Sequence, residues 1–167
     1  MNESRAHQIR LFEATAKGEL QDVMEALEAG ANVDARNSYG WTALVLAARY
    51  NYPPIAKTLL KNGANVDAQD EMGRTALVIA ARNNDPAMAE TLLENGAEVD
   101  ARDENGWTAL VFAARYNDAA MVETLLEHGA VPGERSNQGT TAADFAEDNP
   151  AVRKSDVYWR LHDARYE

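Results

Sequence analysis

The chain has 167 residues, 46% of them hydrophobic, which suits one compact domain or one short repeat array with a buried core. Its formal net charge of −11 disfavours nucleic acid and anionic membrane surfaces as partners. It has no cysteine, which excludes disulfides and thiolate metal sites, and no stretch typical of a signal peptide or membrane span. We therefore expect a soluble chain that is cytoplasmic by default, although a periplasmic or secreted chain without its leader would look the same.

A period of 33 residues organises the sequence. The stretch GWTALVLAARYNY at 40–52 returns as GRTALVIAARNND at 73–85 and as GWTALVFAARYND at 106–118. A second glycine series keeps the same step: Gly63, Gly96 and Gly129. A period of this length predicts a stacked array of similar units.

Each unit predicts two short helices joined by a turn and followed by a loop. Thr42 is placed to cap the first helix, and asparagine, which tolerates a left-handed backbone, is placed to end it. In the middle unit Asp85 and Pro86 predict the start of the second helix, and Gly96 predicts its end. The asparagines at the predicted ends of the first helices are Asn51, Asn84 and Asn117.

The stretch DENGWTALVFAARYNDAAMVETLLEHGA, residues 103–130, resembles an ankyrin repeat, with its D-x-x-G-x-T-x-L-x-x-A-A frame and later L-L-x-x-G-A. The resemblance implies an all-α ankyrin-repeat solenoid in which stacked helix-turn-helix units carry protruding loops beside a concave binding face. It divides a single domain, 1–167, into an N-terminal half-repeat or cap at 1–36, full repeats at 37–69, 70–102 and 103–135, and a C-terminal cap at 136–167.

Two features depart from the family pattern. The usual Thr-Pro-Leu-His is Thr-Ala-Leu-Val here, so we expect Val45, Val78 and Val111 to replace a hydrogen-bonding histidine with apolar packing. Residues 131–134, VPGE, also interrupt the NVDA pattern of the earlier units. That interruption indicates either a bent junction that serves a partner or the approach of the divergent cap.

The resemblance implies that loop tips and inner helices line the concave face. Trp, Tyr and Arg, the types most enriched at interface hot spots, occur at these positions and change between units while the frame stays fixed. We therefore predict a partner-binding surface there. Its residues are Ser38, Tyr39, Trp41, Arg49, Tyr50, Glu71, Met72, Arg74, Arg82, Asn83, Glu104, Asn105, Trp107, Arg115 and Tyr116.

Alternatives remain open for these side chains. The large rings could serve packing alone, since amphipathic aromatics often cover neighbouring elements. The arginines at the thirteenth position, Arg49, Arg82 and Arg115, could either bind carboxylates of a partner or pair with nearby acids such as Asp70 and Asp103.

The second helices and the C-terminus raise further expectations. Glutamates on the second helices predict an acidic convex back: Glu25, Glu28, Glu90, Glu94, Glu123 and Glu127. At the C-terminus, an apolar spacing predicts a capping helix: Val157, Leu161 and Ala164. The aromatics beside it leave a second contact surface or self-association open: Tyr158, Trp159 and Tyr166.

The sequence gives little support for a catalytic, cofactor or metal site. His7, His128 and His162 lack metal-ligand spacing, and no catalytic motif occurs, so we expect no enzyme, no cofactor and no metal. We predict a monomeric protein-binding module, acting as a standalone inhibitor or sequestering protein of the immunity type. Its partner would be another protein, such as an enzyme, a toxin or a basic target. The alternatives are a scaffold that joins two proteins and a module that binds a small or polymeric ligand.

Overall fold

The computed structural model describes residues 3–116 and 118–163, and this part of the chain forms eleven helices and no strand. Asn117, Ala164 and Tyr166, for which the sequence suggested a helix end and a terminal contact, lie outside the described residues. The helices are α1 (Glu3–Lys17), α2 (Leu20–Glu28), α3 (Ala43–Arg49), α4 (Pro53–Lys61), α5 (Ala76–Arg82), α6 (Pro86–Glu94), α7 (Ala109–Tyr116), α8 (Ala119–Glu127), α9 (Ala142–Ala146), α10 (Pro150–Arg153) and α11 (Val157–Asp163).

The helices pack in two rows. The first row contains α1, α3, α5, α7 and α9, each in contact with the next, and the second row contains α2, α4, α6, α8 and α10 in the same order. Each second-row helix also packs against its first-row partner, and α11 packs against α8, α9 and α10. This two-row stack confirms the array predicted from the period and the all-α solenoid that the resemblance implies.

The repeated Thr-Ala-Leu-Val stretch builds the start of each first-row helix. Thr42 and Thr75 cap α3 and α5, since their Oγ1 atoms accept the backbone N–H of the valine three residues on, at 3.3 Å. The alanines of these helices are fully buried, which lets neighbouring units approach closely. The three valines that replace the family histidine are buried as well: Val45, Val78 and Val111.

Asparagines end two of the first-row helices in the predicted manner. Asn51 and Asn84 follow α3 and α5 with φ of 59° and 55°, which is the left-handed region that asparagine tolerates better than most residues. The left-handed residue reverses the chain, so that the second helix of the unit runs back against the first.

A ladder of aspartates joins consecutive units. Asp34, Asp67 and Asp100 each accept, through Oδ1, the backbone N–H of a residue 31 positions further on, at 2.9, 2.9 and 3.0 Å. Burial raises the pKa of Asp100, a shift that the bond from Val131 opposes. The ladder fixes the spacing between loops, and it ends at Gly133, where the aspartate of the pattern is missing.

The interrupted segment 131–134 keeps these connections. Val131 donates its N–H to Asp100 as the earlier units do, and Glu134 Oε2 lies 2.7 Å from Arg102 Nη1. The backbone junction is therefore retained, which favours the approach of the cap over a bent junction as the reason for the altered sequence.

The C-terminal helix covers the last unit. Val157 and Leu161 of α11, two of the residues from which the cap was predicted, are buried, and Tyr158 is half-buried. Trp159 instead exposes 62% of its surface, so its ring is not required for the cap. A second contact surface at this end thus stays open.

Asp85, which begins α6, holds a carboxylate that is only partly satisfied. Its Oδ1 accepts the N–H of Met88 at 3.0 Å, but its buried Oδ2 has no hydrogen-bond partner in the described residues. Burial raises the pKa of Asp85, because the charged form loses its hydration. In α10 the same capping position holds Asn149, whose Nδ2 donates to the carbonyl of Ala114 at 2.9 Å.

We expect Asp85→Asn to raise the free energy of unfolding at pH 7 by about 1 kcal/mol, because the amide keeps the cap and gains a donor in place of an unsatisfied oxygen. Since burial raises the folded-state pKa of Asp85 above its unfolded value of about 4, the penalty from its charge is complete only above the folded-state pKa. The gain should therefore shrink as the pH falls below that pKa and be lost by about pH 4. Urea unfolding at pH 7 and at about pH 4 measures this. The control is Asp118→Asn at an exposed cap. An equal change in both variants would contradict the expectation.

Candidate functional site

The loops of the three full units close with one backbone pattern, and the second and third are each joined to the loop that follows. In each loop the N–H of the first residue donates to the carbonyl of the fifth, at 2.9–3.0 Å. Between loops, the N–H of Glu104 donates to the carbonyl of Met72, and that of Asn137 donates to Asn105, both at 3.0 Å. Each tip is thus held by its own closed loop, and the second and third are held by inter-loop bonds as well. The exposed side chains at these tips are Ser38, Tyr39, Glu71, Met72, Glu104 and Asn105.

The side chain of the first residue of each loop accepts hydrogen bonds from backbone N–H groups of the same loop. Oδ1 of Asn37, Asp70 and Asp103 accepts the backbone N–H groups of the third and fifth loop residues, at 2.8–3.1 Å. Because aspartate and asparagine both offer this oxygen, the loop tolerates either residue. What differs between units is the partner of the remaining carboxylate or amide atom.

In the middle unit that partner is Arg74. Its Nε and Nη2 donate to Asp70 Oδ2 at 2.9 and 2.6 Å, with only 11% and 1% of the two side chains exposed. Burial alone would raise the pKa of Asp70, but the side-chain and backbone hydrogen bonds from Arg74, with that from Met72, lower it overall. Arg74 thus replaces the tryptophan of the other units with a buried ion pair.

In the first unit an arginine covers the corresponding tryptophan. The guanidinium carbon of Arg49 lies 4.7 Å from the ring centre of Trp41, which is a cation–π contact. The ring of Tyr39 lies 5.2 Å from that of Trp41 on the loop side. Trp41 is half-buried, whereas 64% of Tyr39 is exposed. Tyr39 is therefore exposed to solvent while its ring packs against that of Trp41.

In the third unit the tryptophan packs into a larger cluster. Trp107 lies 5.1 Å from Phe112 and 5.0 Å from Phe145, which belongs to α9 of the following unit. Arg115 lies over Trp107, Tyr116 and Phe145, at 4.9–5.2 Å from the ring centres. The packing alternative raised from the sequence therefore describes Trp107 well, because the ring joins two units.

The ion-pair alternative for the thirteenth-position arginines is wrong within the described part of the chain. Asp70 pairs with Arg74, and Asp103 accepts only the backbone N–H groups of its own loop. Arg82 is exposed and forms no ion pair there, while Asn83 beside it donates to the carbonyl of Arg49 at 3.3 Å.

Three adjoining hollows, which we call the groove, run between the loop tips and the first-row helices. The first, of about 350 Å³, is lined by Arg49, Tyr50, Arg74, Ile79, Arg82 and Asn83. The second, of about 360 Å³, is lined by Met72, Arg74, Arg82, Asp103, Glu104, Asn105, Trp107, Phe112 and Tyr116. The third, of about 210 Å³, is lined by Ser38, Tyr39, Trp41, Asp70, Glu71, Met72 and Arg74.

Arg74 lines all three hollows, which makes them one continuous surface. The groove brings together fourteen of the fifteen residues predicted from the sequence; Arg115 instead covers the aromatic cluster of the third unit. Ile79 and Phe112, at the tenth position of their units, line the groove and were missed. A signal existed, because this position changes among Leu46, Ile79 and Phe112 while its neighbours do not.

Comparison with known proteins agrees with this architecture. A family model described as ankyrin repeats in three copies matches residues 11–103, more than half of the chain. The chain belongs to the ankyrin repeat family. A second model, of ankyrin repeats in many copies, matches residues 92–146 of the ankyrin array. No curated protein matches the chain.

Membership in the ankyrin repeat family makes the chain a protein–protein interaction module, since ankyrin repeats bind other proteins and are generally non-catalytic. Within residues 3–116 and 118–163, no group of three or more histidine or acidic side chains could hold a metal ion. In the same residues, no helix combines the length and apolar character needed to cross a membrane.

Proposed function

We propose that this ankyrin array is a standalone inhibitor or sequestering protein, which acts by covering a partner protein's surface with the groove. The observation that supports this most is the exposure of large apolar side chains within the groove. Tyr39, Tyr50, Met72 and Tyr116 expose 64%, 46%, 56% and 56% of their surfaces along one face. Exposed aromatic and methionine side chains are enriched at interface cores, where burying them against a partner stabilises the complex.

The support beneath these side chains suits a binding role. The ring of Tyr39 lies 5.2 Å from that of Trp41, the ring of Tyr116 lies 6.4 Å from that of Phe112, and a backbone hydrogen bond joins Met72 to the loop of the third unit. Side chains held in this way lose little conformational entropy on binding, which leaves more of the contact energy for affinity. The net charge of −11 would also speed the approach of a basic target.

A scaffold that joins two proteins is the second candidate. Trp159 of α11 is 62% exposed, lies 5.3 Å from the ring of Tyr158 and lines none of the three hollows. An exposed tryptophan outside the groove is the kind of feature that a second contact surface would require.

A triple variant tests the groove. Tyr39→Ala, Met72→Ala and Tyr116→Ala together should abolish capture of the partner from a lysate of the source organism, because three exposed contacts are removed. The free energy of unfolding should fall by no more than about 1 kcal/mol, since these side chains are exposed in the free protein. Capture followed by mass spectrometry, with urea unfolding beside it, gives both measurements.

The control is Trp159→Ala, which removes an equally exposed aromatic elsewhere. A partner retained by the control and lost by the triple variant, and whose activity the wild-type chain blocks at equal stoichiometry, supports an inhibitor acting through the groove. Retention of all partners by the triple variant would overturn the groove assignment. Loss of a different partner in each variant would favour the scaffold.

A further inference from the structure

The first hollow of the groove has a local charge opposite to that of the whole chain. Its lining residues include Arg49, Arg74 and Arg82 and no acidic residue, although acidic residues outnumber basic ones by 27 to 16 in the chain. Arg74 is already paired with Asp70, so the excess positive charge comes from Arg49 and Arg82. The second and third hollows each include acidic lining residues, Asp103 with Glu104 and Asp70 with Glu71. Positive charge is thus concentrated in one part of the groove.

The guanidinium groups retain unused hydrogen-bond donors. Within the described residues, the side chain of Arg82 has no hydrogen bond or ion pair, and that of Arg49 makes only the cation–π contact with Trp41. Arg74 donates to Asp70 through Nε and Nη2, which leaves Nη1 without a partner in the same part of the chain. A guanidinium group has five N–H donors in a planar fork, so the hollow presents many donors and few acceptors.

We propose that the first hollow binds an acidic side chain of the partner, so that a carboxylate lies between Arg49, Arg74 and Arg82. This inference rests on the proposed function, since it names the chemistry of the segment that the groove takes. A carboxylate matches the fork of a guanidinium with two parallel hydrogen bonds, and its charge would pair with the guanidinium groups of Arg49 and Arg82. Ile79, which is only 6% exposed, supplies an apolar floor that reduces screening by water.

The surroundings favour an acidic peptide over a denser polyanion. Glu71 and Glu104 are exposed at the loop tips beside the hollow, and the chain as a whole is strongly negative. A nucleic acid or polyphosphate would have to lay many charges along this acidic rim, which is repulsive. A protein segment can place one carboxylate in the hollow and uncharged residues over the rim.

The test follows the side-chain Nε–H signals of Arg49, Arg74 and Arg82 in the NMR spectrum of the full chain, during titration with a short end-capped peptide that carries a single glutamate among uncharged residues. We expect these signals to shift on saturation, and the same peptide with glutamine in place of the glutamate to leave them unchanged. Arg82→Gln should weaken peptide binding about tenfold or more, because a charge-assisted contact is lost. The matched control Arg153→Gln, which removes an exposed arginine from α10, should leave the affinity as in the wild type.

Several results would overturn the proposal. Inorganic phosphate that shifted the same signals at equal or lower concentration would indicate an anion site without selectivity for carboxylates. Shifts on raising the protein concentration alone would identify a second copy of the chain as the occupant. Unchanged peptide affinity in Arg82→Gln, with a lower free energy of unfolding, would mean that Arg82 only compensates the negative end of α5.

The failure of this inference can be told apart from failure of the proposed function. A partner that is lost from the Tyr39→Ala, Met72→Ala, Tyr116→Ala variant but held fully by Arg82→Gln would leave the groove as the binding surface. The arginine hollow would then have no part in binding. Loss from neither variant would overturn both.

Discussion

Asp70→Asn should lower the free energy of unfolding by about 3 kcal/mol, although the change replaces one atom. The amide oxygen still accepts the backbone N–H groups of Met72 and Arg74, as Asn37 does in the first unit. What is lost is the carboxylate that neutralises Arg74, whose side chain is 89% buried and would be left as an unpaired charge. Urea unfolding followed by circular dichroism measures the loss.

The chain itself supplies the matched controls. The single variant Arg74→Trp keeps Asp70 and recreates the combination of Asp103 with Trp107. The double variant Asp70→Asn, Arg74→Trp recreates the combination of Asn37 with Trp41. We expect both of these variants to unfold within about 1 kcal/mol of the wild type. If the Asp70→Asn variant were as stable as the wild type, the buried ion pair would contribute nothing to the free energy of unfolding.

The same pair gives a pH dependence of known sign. Because the pKa of Asp70 is lowered in the folded state, its contribution to stability is complete above the unfolded carboxyl pKa of about 4. It is lost as the pH falls through the folded-state value. The wild type should therefore lose more stability than the Asp70→Asn, Arg74→Trp variant between about pH 5 and pH 2.

Leu77→Ala should lower the free energy of unfolding by about 3 kcal/mol and make the transition broader. Leu77 is 1% exposed in α5, the central helix of the first row, so its truncation leaves a cavity in the core. In a repeat array each unit is stabilised mainly by its neighbours, and a weakened middle unit uncouples the units on either side. The control is Leu20→Ala, which truncates a leucine that is 37% exposed and should cost about 1 kcal/mol or less.

Tryptophan fluorescence separates the two halves, because Trp41 and Trp107 lie in the units that flank the middle one. We expect the urea midpoints of two Leu77→Ala variants to differ, one with Trp41 and the other with Trp107 as the only tryptophan. With Leu77 intact, the two midpoints should coincide. A single coincident transition with an unchanged denaturant slope in Leu77→Ala would contradict the expected uncoupling.

The period predicted the stacked array well because several repeated residues have a local physical reason to recur. Thr42 and Thr75 cap helices through a residue three positions on, and Asn51 and Asn84 take the left-handed turn. Such short-range requirements can be read from the sequence directly.

The contacts within the groove were harder to predict, because they depend on choices among several partners in space. Arg74 could have paired with any of several acids, and only the closed loop turns Asp70 towards it. Phe145 is 38 residues from Trp107 and lies in a divergent unit, so no constant step links the two. Both cases involve side chains that differ between units, where the period gives no information.

The aspartate ladder bears on how such a chain changes in length during evolution. Every rung joins one unit to the next over the same 31 residues, so a duplicated copy of 70–102 placed between its neighbours would find a donor on one side and an acceptor on the other. A copy placed after Gly133 would meet no aspartate. Gene duplication can therefore lengthen the middle of this chain and extend the groove, whereas growth at the C-terminal end requires a new acceptor first.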